Sequence, residues 1–261
     1  LERGDIQDFL HYLSENNYSE NTIKNIYTIL KNGLNYAIDN DYLSMNPCKN
    51  VSFSSKEPKR VHALSINDQK RLEFYSFQEE ACSAVIIGLA TGMRIGEICG
   101  LKWSDIDFQH DIISIERTLQ RIPDPDNLKK TKIIMNSPKT KGSFRKIPLA
   151  KHLKKYLLQK RESGYSEYVV SSNGSYTEPR VINYRLRRTI EQAQLQPFNF
   201  HALRHTFATR CVERGIDISS LSKLLGHAST KLTLDTYADS LWEKRREALD
   251  VIDQEQFNQF I

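Results

Sequence analysis

The sequence predicts a mainly helical protein of two domains, the second of which also carries a small antiparallel β-sheet. A chain of 261 residues is long enough to bury two hydrophobic cores. Apolar residues recur at helical spacing over most of its length. In one central stretch the spacing changes to that of short strands, at residues 112–115, 132–135 and 145–149.

A helical first domain is predicted over residues 1–50. Apolar residues from Ile6 to Leu13 recur at helical spacing, and Ser19 is a residue type that caps the start of a second helix. The pattern stops at Asn46-Pro47, because proline lacks a backbone donor and disfavours a helical conformation in the residue before it.

A stretch rich in serine, lysine and proline over residues 51–62 has the composition of a linker, and residues 63–261 form the predicted second domain. Ser65, with Asp68 three places on, indicates the start of its first helix. One apolar helix is predicted from about Glu80 to Leu101. Beyond the strands, further helices are predicted at about 151–163, 179–194, 200–214, 217–225 and 240–260.

Composition narrows the classes of function. Lysine and arginine number 37 against 32 acidic residues, and this net charge of +5 favours an anionic partner. The four cysteines lack the spacing of a disulfide framework or a zinc site, as is typical of a reducing cytoplasm. No apolar run reaches membrane-spanning length, and the amino terminus carries no secretion pattern. We therefore expect a soluble, cytoplasmic protein.

The second domain contains a set of side chains sufficient for phosphoryl transfer without a metal. Such a reaction needs cations around the non-bridging oxygens, a nucleophile in line and an acid for the leaving oxygen. Taken singly, each candidate also fits an ordinary role, as a solvated charge, a helix cap or a packed tyrosine. The candidates are Arg94, Lys139, His201, Arg204, His227 and Tyr237.

Four sequence boxes together resemble the signature of the tyrosine recombinase (phage integrase) family. They are ATGMRIGE at 90–97, HALRHT at 201–206, LLGHA at 224–228 and TLDTY at 233–237. They stand in that family's order, with a Pro138-Lys139-Thr140 turn between the first two, and no catalytic position departs from the pattern. The resemblance implies a two-domain clamp around DNA, made of a helical core-binding domain and a mixed α/β catalytic domain.

The resemblance also implies which residues carry the bond-breaking step. Tyr237 corresponds to the nucleophile, which forms a 3′-phosphotyrosyl link and releases a 5′-hydroxyl, so that neither a metal nor a nucleotide cofactor is needed. Arg94 and Arg204 correspond to the arginines that bind the non-bridging oxygens. Glu97, one turn beyond Arg94, is interpreted as a positioning partner.

Proton transfer and further donation are implied for the remaining positions. His227 corresponds to an additional donor to the non-bridging oxygens, and His201 to the acceptor of the tyrosine proton. Lys139 corresponds to the acid that protonates the leaving 5′-oxygen. Lys141 is the alternative for that role, because a turn could present either lysine.

Partners are predicted from charge and from the end of the chain. Contacts with double-stranded DNA are predicted for Lys56, Lys59, Arg60, Lys141 and Arg145. An apolar stripe after Tyr237 predicts a segment that docks on a neighbouring subunit of a tetramer on DNA, the alternative being packing within its own subunit. A directionality factor is a further expected partner.

The favoured function is a bacterial site-specific recombinase that serves as the integrase of a mobile element. The start at Leu1 favours an arm-binding domain upstream, which is typical of such integrases. One alternative is a type IB topoisomerase, which uses the same tyrosine chemistry as a monomer. The other is a DNA-binding accessory protein that does not cut, which the six intact catalytic positions disfavour.

Overall fold

A computed structural model divides the chain into two compact units, Leu1–Arg60 and Val61–Ile261. The structure describes residues 1–49, 51, 63–136, 144–162, 164, 166–227, 229–231, 233, 234, 237, 246 and 249–253, without the side chains of residues 128 and 129. Within these ranges, no helix combines the length and the apolar composition needed to cross a membrane.

The first unit is built on two helices, α1 (Arg3–Glu15) and α2 (Glu20–Asp39). The predicted cap of α2 is confirmed, since the Ser19 hydroxyl accepts a hydrogen bond from the backbone N–H of Thr22 at 3.2 Å. The Tyr27 hydroxyl donates to the carbonyl of Cys48 at 2.7 Å and so ties the following segment to α2. The core of this unit comprises Ile6, Leu10, Leu13, Ile23, Tyr27 and Cys48.

The mainly helical class predicted for the chain is confirmed, and the second unit has the mixed α/β character expected of it. Its first helix begins where predicted, because the Ser65 hydroxyl accepts from the backbone N–H of Asp68 at 3.0 Å. The helices are α3 (Ile66–Gln78), α4 (Ser83–Thr91), α5 (Ile95–Gly100), α6 (Lys151–Glu162), α7 (Pro179–Gln192), α8 (His201–Glu213) and α9 (Ile218–Leu225).

The single helix predicted from Glu80 to Leu101 is wrong, because the segment contains a 3₁₀ turn followed by the two helices α4 and α5. The break occurs at Gly92, which ends α4 in a left-handed conformation with φ of 65°. A Cβ atom there would lie 2.5 Å from Cδ1 of Phe207, so that only glycine fits. The chain then restarts as α5 directly after Arg94, whose backbone is extended.

In the part of the chain that the structure describes, the strands form three small antiparallel sheets. One has the order β1 (Ile106–Asp107), β2 (Ile112–Ile115) and β5 (Arg145–Pro148). The predicted strand at 132–135 does not join it, because it belongs to β4 (Asn127–Asn136), which pairs with β3 (Thr118–Asp124). A two-residue connection between β3 and β4 favours this local pairing. The third sheet pairs β6 (Ser171–Ser172) with β7 (Ser175–Tyr176).

Two clusters of buried side chains hold the second unit together. The larger surrounds α4, which is buried on nearly all sides and packs against α8. The smaller joins α8 to α9 and to Tyr237, and comprises Ala208, Cys211, Val212, Leu221, Leu225 and Tyr237. All four cysteines are free and buried. The smaller cluster therefore fixes α9 and Tyr237 relative to α8.

Replacing Gly92 by alanine is expected to destabilise the second unit by about 2–4 kcal/mol, since the new methyl group adds an overlap with Phe207 to the strain of a left-handed backbone. Urea unfolding of Gly92→Ala against the parent protein measures the loss.

Gly174 provides the matched control, because it is also left-handed, with φ of 77°, and a Cβ atom there would meet nothing within 4 Å. Gly174→Ala should cost only the backbone strain, about 1 kcal/mol. Equal losses in the two variants would show that contact with Phe207 is not what requires glycine at position 92.

Candidate active site

Arg204 lies on α8 and is almost completely buried, with 2% of its surface exposed. Its guanidinium group donates to the carbonyl of Gly92 at 2.9 Å and to the carbonyl of Leu225 at 2.7 Å. A buried cation is tolerated only where its donors find partners. Here the partners are backbone carbonyls at the carboxyl ends of two helices, α4 and α9.

Arg94 immediately precedes α5, so the break in the helix at Gly92 determines the position of its Cα atom. Its guanidinium group donates to the carbonyl of Gly226 at 3.1 Å and to Oε1 of Glu97 at 3.0 Å. The side chain remains 41% exposed. Arg94 is therefore accessible to a ligand, while its hydrogen bonds to Glu97 and Gly226 hold the guanidinium group in place.

Arg145 is the first residue of β5, and its side chain is only 5% exposed. Both of its terminal nitrogens donate to the carboxylate of Glu97, at 2.9 and 2.8 Å, which is the bidentate geometry that suits a guanidinium. Its Nε donates to the carbonyl of Leu224 at 2.6 Å. These contacts make Arg145 an internal support of Glu97, and the DNA contact that the sequence analysis predicted for it stays a prediction.

The end of α9 brings these arginines together. The carbonyls of Leu224, Leu225 and Gly226 are consecutive, and they accept from Arg145, Arg204 and Arg94 respectively. The last carbonyls of a helix lack partners within it and carry the negative end of its dipole. We call Arg94, Arg145 and Arg204 the arginine cluster.

Glu97 supplies negative charge within the arginine cluster. Its burial alone would raise the pKa of the carboxyl group, but hydrogen bonds and charge from Arg145 and Arg94 lower that pKa overall, so Glu97 is ionised. Burial, together with the positive charges of Arg94 and Arg145, lowers the pKa of Arg204 to about 9. Three guanidinium groups against one carboxylate leave the site with an excess of positive charge. This excess favours an anionic ligand.

His227 follows the end of α9, and its Nδ1 lies 2.7 Å from the hydroxyl of Thr233, a fully buried residue. Burial, reinforced by the charges of Arg204 and Arg94, lowers the pKa of His227 to about 4. The ring is therefore neutral at pH 7. When Thr233 donates to Nδ1, the proton of the ring is on Nε2, which can donate to a ligand.

Tyr237 is buried in the smaller core cluster, and its hydroxyl lies 3.4 Å from Nδ1 of His205. Burial raises the pKa of Tyr237 to about 12, although the positive charge of Arg204 acts in the opposite direction. His201 is the first residue of α8. Partial burial of its ring, together with the charges of Arg204 and Arg94, lowers its pKa. No role was predicted for His205, whose only signal was its spacing of four residues from His201 on one helical face.

The structure thus brings Arg94, Arg204, His227 and Tyr237 around the end of α9, with His201 at the start of the same helix as Arg204. The predicted pairing of Glu97 with Arg94 is confirmed. The predictions for Lys56, Lys59, Arg60, Lys139 and Lys141 lie outside the described residues.

A cleft of about 330 Å³ adjoins this cluster on the surface of the second unit. Arg145, Gly226 and His227 are among its lining residues, together with Lys223 from the last turn of α9. Phe144 and four residues with hydroxyl groups, Ser219, Ser222, Ser229 and Thr230, complete the wall. The cleft therefore combines hydroxyl groups and positive charge, which are residue types that commonly contact phosphates.

Comparison with known proteins matches both parts of the chain. A model described as the phage integrase family covers residues 62–244, and one described as a phage integrase SAM-like domain covers residues 2–53. A XerC-like tyrosine recombinase from Caldanaerobacter subterraneus subsp. tengcongensis is 29% identical over 95% of this chain and 69% of its own length.

Two solved structures share the fold. The Tn1549 transposon integrase in complex with a circular intermediate DNA matches with a TM-score of 0.80 and 24% identity, over 94% of this chain and 85% of that one. A lambda integrase tetramer bound to a Holliday junction matches with a TM-score of 0.66 and 19% identity, over 90% of this chain and 64% of that one.

Replacing Glu97 by glutamine is expected to lower the free energy of unfolding at pH 7 by roughly 3 kcal/mol, because the buried arginines lose their carboxylate partner. The folded-state pKa of Glu97 is depressed, so its contribution is present above the ordinary carboxyl pKa of 4.5 and is lost as the pH falls through the lower folded value. The unfolding free energies of wild type and Glu97→Gln should therefore become more similar as the pH falls. Denaturant unfolding of both proteins from pH 7 to pH 3 measures this change.

Glu167→Gln is the control, because Glu167 forms an ion pair with Lys102 but is 61% exposed, and the effect there should be much smaller. A difference between wild type and Glu97→Gln that stays constant down to pH 3 would contradict a role for the carboxylate charge.

Proposed function

The chain belongs to the phage integrase family of tyrosine recombinases, and we propose that it breaks and rejoins DNA at a specific site through a covalent bond to Tyr237. The observation that carries the proposal is the arginine cluster at the end of α9, close to a buried tyrosine. Fixed donors of this kind bind the charge that develops on a phosphate under attack.

In the proposed reaction, Arg94 and Arg204 bind the non-bridging oxygens of the scissile phosphate, and His227 donates to the same oxygens. The Tyr237 oxygen attacks phosphorus, and the bond to the 5′-oxygen breaks. A 3′-phosphotyrosyl link forms, which keeps the energy of the phosphodiester, so that a 5′-hydroxyl can reseal the strand without ATP. The side-chain cations serve in place of a metal.

Two separate proton transfers accompany the reaction. His201 accepts the proton of the Tyr237 hydroxyl, and Lys139 protonates the leaving 5′-oxygen, with Lys141 as the alternative acid. The internal support by Arg145 and Glu97 holds Arg94 in place, so that the guanidinium groups do not have to reorganise when the phosphate enters.

Double-stranded DNA is the proposed substrate, to be bound by a core-binding domain at residues 1–50 and a catalytic domain at 63–261. Lys56, Lys59 and Arg60 of the connecting segment 51–62 would contact the phosphate backbone. The matched Tn1549 and lambda integrase structures are complexes with DNA, which supports this assignment. The site of action is the bacterial cytoplasm.

A tetramer on DNA is proposed as the active assembly. Residues 249–253 are helical, and the side chains of Leu249, Val251 and Ile252 are 65%, 53% and 48% exposed. An apolar helical stripe of this kind would dock on a neighbouring subunit. The lambda integrase match, which is a tetramer, supports the proposal, and a directionality factor would select the direction of recombination.

The integrase of a mobile element is the specific role proposed, supported by the match to a transposon integrase. A type IB topoisomerase would act as a monomer and would have no use for an exposed apolar stripe after the catalytic tyrosine. A non-cleaving accessory protein would have no need of the buried arginines.

Tyr237→Phe is expected to abolish covalent attachment to DNA while leaving binding nearly intact, because the ring still packs and only the attacking oxygen is lost. The measurement is denaturing electrophoresis of the protein incubated with a nicked suicide duplex that carries its recombination site. Tyr184→Phe, at a tyrosine that is 60% exposed, should react as wild type does. A covalent complex that survives in Tyr237→Phe would mean that another residue attacks.

Lys139→Ala is expected to slow cleavage by about 10²- to 10⁴-fold on ordinary DNA, the range for loss of a positioned proton donor. A substrate with sulfur in place of the 5′-bridging oxygen should restore the rate, since a thiolate leaves without a proton. The same substrate should not rescue Arg94→Ala or Arg204→Ala. Rescue of Lys141→Ala but not of Lys139→Ala would move the acid two residues along, and rescue of neither would place it elsewhere.

A further inference from the structure

The hydroxyl of Tyr237 lies against His205, a residue to which the proposed mechanism gives no role. The oxygen is 3.4 Å from Nδ1 of His205, and the two ring centres are 5.8 Å apart. His205 also makes an edge-to-face contact with His201, with ring centres 4.8 Å apart. His205 therefore contacts both the tyrosine and the histidine that the mechanism uses as the proton acceptor.

The Tyr237 hydroxyl and the His205 ring differ in how well each donates and accepts a hydrogen bond. A phenol is a strong donor and a weak acceptor, whereas the bare nitrogen of a neutral imidazole is a strong acceptor. Burial, together with the neighbouring His201 and Arg204, lowers the pKa of His205 to about 4, so the ring is neutral at pH 7. The Tyr237 hydroxyl therefore donates to Nδ1, and Nε2 carries the proton of the ring.

The tyrosine proton stays on the phenol in the resting pair. The pKa of Tyr237 is raised to about 12 and that of His205 is lowered to about 4, so the contact is a hydrogen bond between two neutral groups. Burial of the tyrosine in the cluster formed by α8 and α9 fixes the ring plane, but apolar contacts with Cys211 and Leu221 do not orient a hydroxyl group. A directed acceptor provides that orientation.

We propose that His205 is a positioning residue for the nucleophile, whose Nδ1 accepts the Tyr237 hydroxyl hydrogen bond and holds the oxygen in place beside the arginine cluster. This inference rests on the proposed function of Tyr237. The hydrogen bond aligns the oxygen until attack begins, and it breaks as the oxygen attacks phosphorus and the hydroxyl proton passes to His201. Loss of the acceptor then leaves the attacking oxygen unaligned without removing any group that reacts.

The test compares two substitutions that differ in whether an acceptor remains. His205→Leu removes it, and should slow formation of the covalent complex by about 10- to 100-fold with DNA affinity unchanged. His205→Asn keeps an amide oxygen near the place of Nδ1 and cannot carry a proton, and should recover most of that loss. His152→Leu, at an exposed histidine of α6, controls for the change in composition. Single-turnover rates on a nicked suicide duplex from pH 6 to pH 8 supply the measurement.

Two outcomes overturn the inference. A wild-type rate in His205→Leu means that the contact does not align the nucleophile. A rate in His205→Asn as low as in His205→Leu, with a changed pH profile, means that His205 acts by accepting the proton. Recovery in His205→Asn with the wild-type pH profile supports positioning.

A measurement without DNA keeps the two claims separate. In histidine labelled with ¹⁵N, the Nδ1 resonance of His205 should shift when Tyr237→Phe removes the donor, and no shift would contradict the hydrogen bond itself. If wild type forms no covalent complex on any duplex but this shift is present, the proposed function fails while the contact stands.

Discussion

Mutual repulsion among three buried or half-buried guanidinium groups is the constraint on which the second unit depends. Arg94, Arg145 and Arg204 converge on three consecutive carbonyls at the end of α9, and Glu97 adds a carboxylate between two of them. Without these acceptors, the cost of removing the charges from water would exceed any gain from packing. The carbonyl groups at the end of α9 therefore hold the three arginines of the site in place.

Each part of the fold near the site can be understood as a way of meeting this constraint. The left-handed Gly92 ends α4, exposes a carbonyl to Arg204 and lets α5 start directly after Arg94. The left-handed Gly226, with φ of 64°, ends α9, so that His227 is the first residue after the turn. Because the remaining charge is positive, a phosphate entering the site relieves repulsion and should stabilise the folded protein through binding.

Sequence reasoning identified the residues whose motifs are local. The HALRHT box fixed Arg204 on a helix, and Gly226 followed by His227 marked the end of another. The partnership of Arg145 with Glu97 was missed because it joins β5 to α5 across 48 residues, and no local pattern encodes it. The close approach that disfavours a side chain at position 92 comes from the ring of Phe207, which sequence spacing alone could not place nearby. The role of His205 required the distance to Tyr237.

The most direct test is a crystal structure of Tyr237→Phe bound to a duplex that carries the recombination site. We predict that the scissile phosphate lies within hydrogen-bond distance of Arg94 and Arg204, with both guanidinium groups still donating to the carbonyls of Gly92, Leu225 and Gly226. A phosphate bound away from this helix end, or arginines that leave those carbonyls to reach it, would show that the helix end does not organise the site.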